Sequence, residues 1–281
     1  MQSDVRIEPA ATRILLFEEV YPARAAQEQA EKSKLDAFGT LARLNPLNRP
    51  KHDTVLLSKW ELRYEPFWHL VARREVDFTH EANYALQITN PYAQRAEVAG
   101  RNFEILSPGS KPRIEMPVQE VCHRKIETVL YQDGLKRPVK PAALQKYVEK
   151  YKAVEREQLD QPGAIEPTLS SAAAMQMALS RLAAEAIDAS SIQDERCTFD
   201  KLFLYYRPVF AFEYAWNSAG KVGVIEIDGL TGDVVESGEW FRDKIDRVMT
   251  RDMLFDLGAE VASAAIPAGG IAVKVLHKLT Q

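Results

Sequence analysis

From Leu62 to Ala72 the even positions carry Leu, Tyr, Pro, Trp, Leu and Ala, while Phe67 and Val71 add apolar groups to the other side. A period of two with both sides partly apolar predicts a strand covered on both faces. Residues 202–216 have the same character. The two stretches align without a gap: Leu62-Arg63-Tyr64-Glu65-Pro66-Phe67-Trp68-His69-Leu70 against Leu204-Tyr205-Tyr206-Arg207-Pro208-Val209-Phe210-Ala211-Phe212. Their common pattern is Leu-x-Tyr-x-Pro-x-aromatic-x-apolar. Residues 13–21 read as a first strand closed by Pro22, and 84–89 and 124–131 as further strands. The charged run 73–81 reads as a hairpin tip, so that 84–89 returns beside 60–73 and stops at Asn90-Pro91.

A period near 3.6 marks the helices. Ala30, Leu35, Phe38, Leu41 and Ala42 form an incomplete stripe in 25–44, which Asn45-Pro46 ends. A charged helix is predicted over 142–159, broken by Gln161-Pro162-Gly163. Another covers 171–187, with Met175, Ala178, Leu179, Leu182 and Ala186 on one face. Asn217-Ser218-Ala219-Gly220 then turns the chain into a strand at 222–227, and Asp228-Gly229 with Thr231-Gly232 makes a second turn into 234–237. The fold class is therefore α+β, built from two related units of a helix on an antiparallel β-meander. The expected divisions are 1–120 for the first unit, 121–165 for a strand and helix connector, 166–240 for the second unit and 241–281 for an apolar helical tail.

The order helix, strand with aromatic-Pro-aromatic, turn, strand ending Asp228-Gly229-Leu230-Thr231-Gly232 resembles small PepSY-like and cystatin-like domains over roughly 65 residues in the C-terminal half. The first copy departs from it, with Asn90-Pro91-Tyr92-Ala93 where the Asp-Gly turn would be. The resemblance implies a binding or regulatory module and transfers no catalytic residues.

Composition narrows this. An apolar fraction of 46% and a charged fraction of 27% are those of a globular chain. A formal net charge of −4 gives no global attraction for nucleic acid, which is disfavoured as a partner. The first residues lack the basic-then-apolar layout of a secretion signal, and Cys122 and Cys197 are too few for a disulfide framework. A cytoplasmic protein is expected, or one peripheral at a membrane.

No residue set predicts catalysis, a cofactor or a metal. Phosphate-loop, nucleophile-elbow and zinc-protease motifs are missing from the sequence. His52, His69, His80, His123 and His277 have no ligand spacing, and Cys122 and His123 point to opposite sides of a strand. Of Glu226, Asp228 and Asp233, the two aspartates sit in turn positions, and the group reads as a turn rather than a cation site. The basic stretch from Arg124 to Arg156 is interleaved with acids and reads as a solvated surface.

Pro66 and Pro208 cannot donate a ladder hydrogen bond, which suggests edge strands or bulges and hence a surface for a partner strand. With Trp68 and Phe210 beside them, they are the first candidate interaction residues. The second group lies in the uncharged run 261–273 and just after it: Ile266, Ile271 and Val275. This tail is expected to be helical with a break at Pro267-Ala268-Gly269-Gly270, and to dock on its own chain, join chains, or meet a lipid surface. The functional expectation is a non-enzymatic binding or accessory protein acting through a protein partner or a homo-oligomer. A peripheral lipid-sensing role and an enzyme with a site between the two units are the alternatives.

Overall fold

Three strands of unusual length organise the molecule: β3 (Val55–Gln87), β6 (Arg113–Asp133) and β9 (Ser191–Trp216). A computed structural model describes residues 4–8, 10–39, 42, 49–106, 111–235, 238, 245, 248–255 and 274–275. The fold is α+β. Its main sheet runs β6–β3–β9, antiparallel throughout. On the far side of β9 three shorter strands follow one another: β1 (Asp4–Ile7) and β2 (Thr12–Phe17) in parallel, then β10 (Lys221–Asp228) antiparallel. Strand β7 (Ala153–Arg156) pairs with β2, β8 (Gln158–Leu159) with Met249–Thr250, and β11 (Val234–Val235) with β10. A separate hairpin joins β4 (Arg95–Val98) and β5 (Arg101–Glu104).

The two copies of the Leu-x-Tyr-x-Pro pattern lie side by side at the centre of this sheet. They pair antiparallel, with Tyr64 opposite Pro208, Glu65 opposite Arg207 and Pro66 opposite Tyr206. Both prolines therefore sit in interior strands, not at an edge. What makes them tolerable is local. The Gly134 N–H donates to the Pro66 carbonyl, and the Gly229 N–H to the Pro208 carbonyl, each at 2.9 Å. In such a pair the proline would normally return an N–H to the glycine carbonyl. Here that carbonyl is taken by an incoming segment instead. Gly134 accepts from Leu169 N–H at 2.9 Å; Gly229 accepts from Val20 and Tyr21 N–H at 3.0 and 2.8 Å. Each donor segment leads directly into a helix, so the missing proline donor admits the chain that enters that helix.

The sheet has two differently covered faces. Tyr64, Trp68, Leu70, Leu204 and Tyr206 are buried on one, under Met175, Ala178, Leu179 and Leu182 of the helix Ser171–Ala183. That helix is α3, numbering Ala23–Ser33 as α1 and Pro141–Lys150 as α2. Ser170 caps α3, accepting from Ala173 N–H. Further along the same face, Phe210, Phe212, Tyr214 and Trp216 pack with Ala26 and Ala30 of α1. Helix α1 precedes β3 in the chain yet covers the end of β9 and β10, while α3 precedes β9 yet lies over β3 and β6. On the opposite face α2 brings Leu144 against Leu15, Phe17, Phe67, Tyr205 and Leu230.

Several sequence expectations change. Residues 73–81 are not a hairpin tip; β3 runs straight through them to Gln87, and its return strand is β6. Charge did not break the strand because the charges find cross-strand partners: Arg73 with Asp200, Arg74 with Glu195 and Asp77 with His123. Arg74 also donates to the carbonyls of Leu182 and Glu185 at the end of α3. The helix expected over 142–159 stops at Lys150, because Ala153 and Val154 pair with Phe17 and Leu16. The tail is described only at 245, 248–255 and 274–275. There Arg251–Leu254 forms a short helix, and Lys274–Val275 forms a strand beside β1. The expected tail helix and its break otherwise fall outside the described residues.

Candidate functional site: a buried ionic centre and a projecting ribbon

At the point where Glu65 faces Arg207, the α2 side of the sheet is charged rather than apolar. Arg63 and Glu65 are completely buried, and Asp133, Glu226 and Asp228 nearly so. Register explains the convergence: Arg63 is paired with Val209, Val209 with Asp228, and Phe67 with Asp133, so all these neighbours point to one side. Asp133 Oδ1 accepts from the N–H groups of Leu135 and Arg137, curling the loop so that Arg137 swings back over the sheet. Asp228 Oδ1 does the same with Leu230 and Thr231. Each aspartate thus closes an Asp-Gly-Leu turn and also faces an arginine.

Glu65 is the hub. Arg63 reaches it at 2.7 Å, Arg207 at 2.7 Å, and Arg137 grips both its oxygens at 3.2 and 2.5 Å. Arg63 also meets Glu226 at 2.5 Å, and Arg207 meets Asp228 at 2.5 Å. The Tyr147 hydroxyl of α2 donates to Asp228 Oδ2 at 2.6 Å. Burial pushes the Glu65 carboxyl up, but the guanidiniums of Arg207, Arg63 and Arg137 outweigh it and hold the group at about 2. Burial lowers Arg207, and Glu65 and Asp228 more than reverse this, so its pKa is raised. Burial and Asp228 keep the Tyr147 phenol protonated, against the pull of Arg207.

With three guanidiniums set between four carboxylates, each charge faces an opposite one. A carboxylate this acidic neither takes nor gives a proton near neutrality. The arrangement joins β3, β6, β9 and β10 at one spot, and its chemistry is that of a lock. Among the described residues no group of three or more His, Cys, Asp or Glu side chains is placed to hold a metal ion.

Of the sequence-selected residues, Pro66, Trp68, Pro208 and Phe210 are brought together inside the sheet. Trp68 is fully buried and donates from Nε1 to the Leu169 carbonyl at 2.8 Å, and Phe210 is buried under α1. Ile266 and Ile271 lie outside the described residues, and Val275 belongs to the strand beside β1. Cys122 and His123 sit opposite Phe78 and Asp77 on β3, on opposite faces of the ribbon. The ionic centre itself was missed. Its signal was present as charged residues at alternating strand positions, Arg63 and Glu65, then Glu226 and Asp228, and as Asp-Gly-Leu occurring at both 133–135 and 228–230.

No family model, curated protein or solved structure matches this chain.

The second feature is a ribbon. β9 accompanies β3 only as far as Thr79, so residues 80–87 pair with 113–120 alone. At about 3.3 Å per residue this two-stranded arm projects about 25 Å. Beyond Arg113, which exchanges backbone hydrogen bonds with Leu106, the outer side of β6 is a free edge among the described strands. The N–H of Gly134 and of Ile88 point between β3 and β6, which fixes the parity: even-numbered residues of β6 bond to β3, and odd-numbered ones turn outward. Pro117 is odd and so loses no ladder bond. Val121 stands at the middle of this edge, 86% exposed.

Proposed function

We propose that the chain is a non-enzymatic binding protein made of two related helix-plus-antiparallel-sheet units, and that it engages a protein partner by adding a strand to the outer edge of β6. The relation between the units is supported by matched details. Each has a proline whose glycine neighbour sits in an Asp-Gly-Leu turn and receives the segment leading into a helix. The two patterns pair about a centre at Glu65 and Arg207, and each helix covers the strands of the other unit. The first unit differs by the long ribbon inserted between its strand and its turn.

The observation that carries the binding reading is the run of outward backbone groups from Gln119 to Val129, beside an apolar side chain left in water at Val121. A proline at 117 precedes this window and the charges of Lys125 and Glu127 lie within it, devices that natural edges use to avoid indiscriminate pairing. Strand addition supplies affinity through the backbone and selectivity through alternate side chains. A photo-crosslinking residue placed at Val121 in cells of the native source tests this. A discrete adduct there, lost when Gln119→Pro is added and not formed from Val222 on β10, away from the β6 edge, is the expected result. An adduct with the protein itself would identify the partner as a second copy. No adduct at 121, or equal labelling at 222, would exclude the edge as the binding surface.

A further inference from the structure

The face bearing α2 has an open groove beyond the ionic centre, where the helix begins and the sheet becomes bare. Two cross-strand pairs form its floor: His69 beside Tyr131 and Val71 beside Val129. Their partner on β9, Lys201, completes the floor, Gln145 of α2 forms a wall, and Arg181 of α3 also reaches it. Its volume of about 460 Å³ is that of a small-molecule site.

A shallow hollow beside a helix is ordinary, but this one has an unusual lining. His69 is only 4% exposed, stacks on Tyr131 with ring centres 4.3 Å apart, and its buried Nδ1 has no hydrogen-bond partner in the protein. Lys201 and Arg181 are exposed, and neither meets a carboxylate among the described residues. Lys201 lies instead over the Phe203 ring, 5.8 Å from its centre. Glu149, one turn further along α2, is engaged by the Gln145 amide at 2.7 Å. Burial and Lys201 hold His69 down at about 4, so it is neutral in use and adds no third charge. The groove therefore offers at its rim two cations that contact no carboxylate among the described residues, and a flat aromatic and aliphatic floor.

We propose that this groove binds a small organic anion, an acidic head group carried on an aromatic or branched apolar body. The head would be met by Lys201 and Arg181 and the body would lie on the His69–Tyr131 stack, beyond the Gln119–Val129 window of the β6 edge. Phenyl phosphate and benzoate are the probes, with benzyl alcohol and inorganic phosphate as controls, titrated by calorimetry and by chemical-shift changes against the full chain. Saturable binding of an aryl anion is expected, displaced from Tyr131 and Lys201 signals outward. Lys201→Ala and Arg181→Ala, both surface changes, should each weaken it about tenfold, the usual scale for a charge-assisted contact. Phosphate tighter than carboxylate would mark a phosphorylated ligand, the reverse a carboxylic acid; either upholds the site. Equal binding of benzyl alcohol, equal binding of inorganic phosphate, indifference to both substitutions, or no binding at millimolar probe would each overturn it.

Discussion

Gly134 and Gly229 lie against proline rings. A Cβ built on Gly134 comes within 2.7 Å of the Pro66 carbonyl oxygen and 2.9 Å of its ring, and one on Gly229 within 2.8 Å of Pro208. Backbone and a rigid ring cannot yield as a flexible side chain would. Gly134→Ala and Gly229→Ala should each cost about 1–3 kcal/mol by denaturant titration, and similar losses would argue that the two sites are equivalent. Trp68→Ala should cost about 3–5 kcal/mol, since the site is fully enclosed. Two titrations shape the pH response. Glu65 has its acidity strengthened by folding, so its contribution is complete above the ordinary carboxylate range and is lost as pH falls towards about 2. His69 is held neutral at about 4 while the unfolded chain takes up its proton near 6.5, so stability declines as pH falls between those values. His69→Phe should flatten the stability curve in that window and leave the lower, Glu65 limb intact.

Among the elements, β6 allows a sharp check of register. Val121 is odd and its N–H faces outward, whereas Cys122 is even and its N–H bonds to Phe78 on β3. Val121→Pro should leave the thermal midpoint nearly unchanged, and Cys122→Pro should lower it clearly. Hydrogen exchange should alternate in the same way along 118–129. The sequence revealed the strands at 60–73 and 202–216 and the helix beginning at 171, expected to 187 and ending at Ala183, because local apolar periodicity encodes all of these. It did not reveal that β3 continues through Arg73–Glu81, since a charged strand is stabilised by partners remote in the chain. Nor could spacing expose the pairing of the two patterns with each other, or the return of Asp133-Gly134 beside Pro66. The strand β7 was hidden inside a helical composition for the same reason: Val154 is held by Leu16 of β2.

The whole molecule is interlocked. Helix α1 lies over strands from the second half and α3 over strands from the first, and the ionic centre draws Glu65 and Arg137 from one half and Arg207 and Asp228 from the other. Fragments 1–160 and 161–281 should each be largely unfolded alone by circular dichroism and regain structure on co-expression, whereas the full chain should melt in one transition. That architecture also sets a timetable for the chain as it leaves the ribosome. β3 meets β6 early, but β9 begins only about sixty residues after β6 ends, a wait of roughly three to twelve seconds at about 5–20 residues per second. During that interval the inner edge of β3 is bare. Glu65, however, already has Arg63 and Arg137 from its own half to neutralise it. The nascent hairpin can therefore bury its acid before Arg207 exists, and the late arrival of β9 closes a site whose charges were balanced in advance.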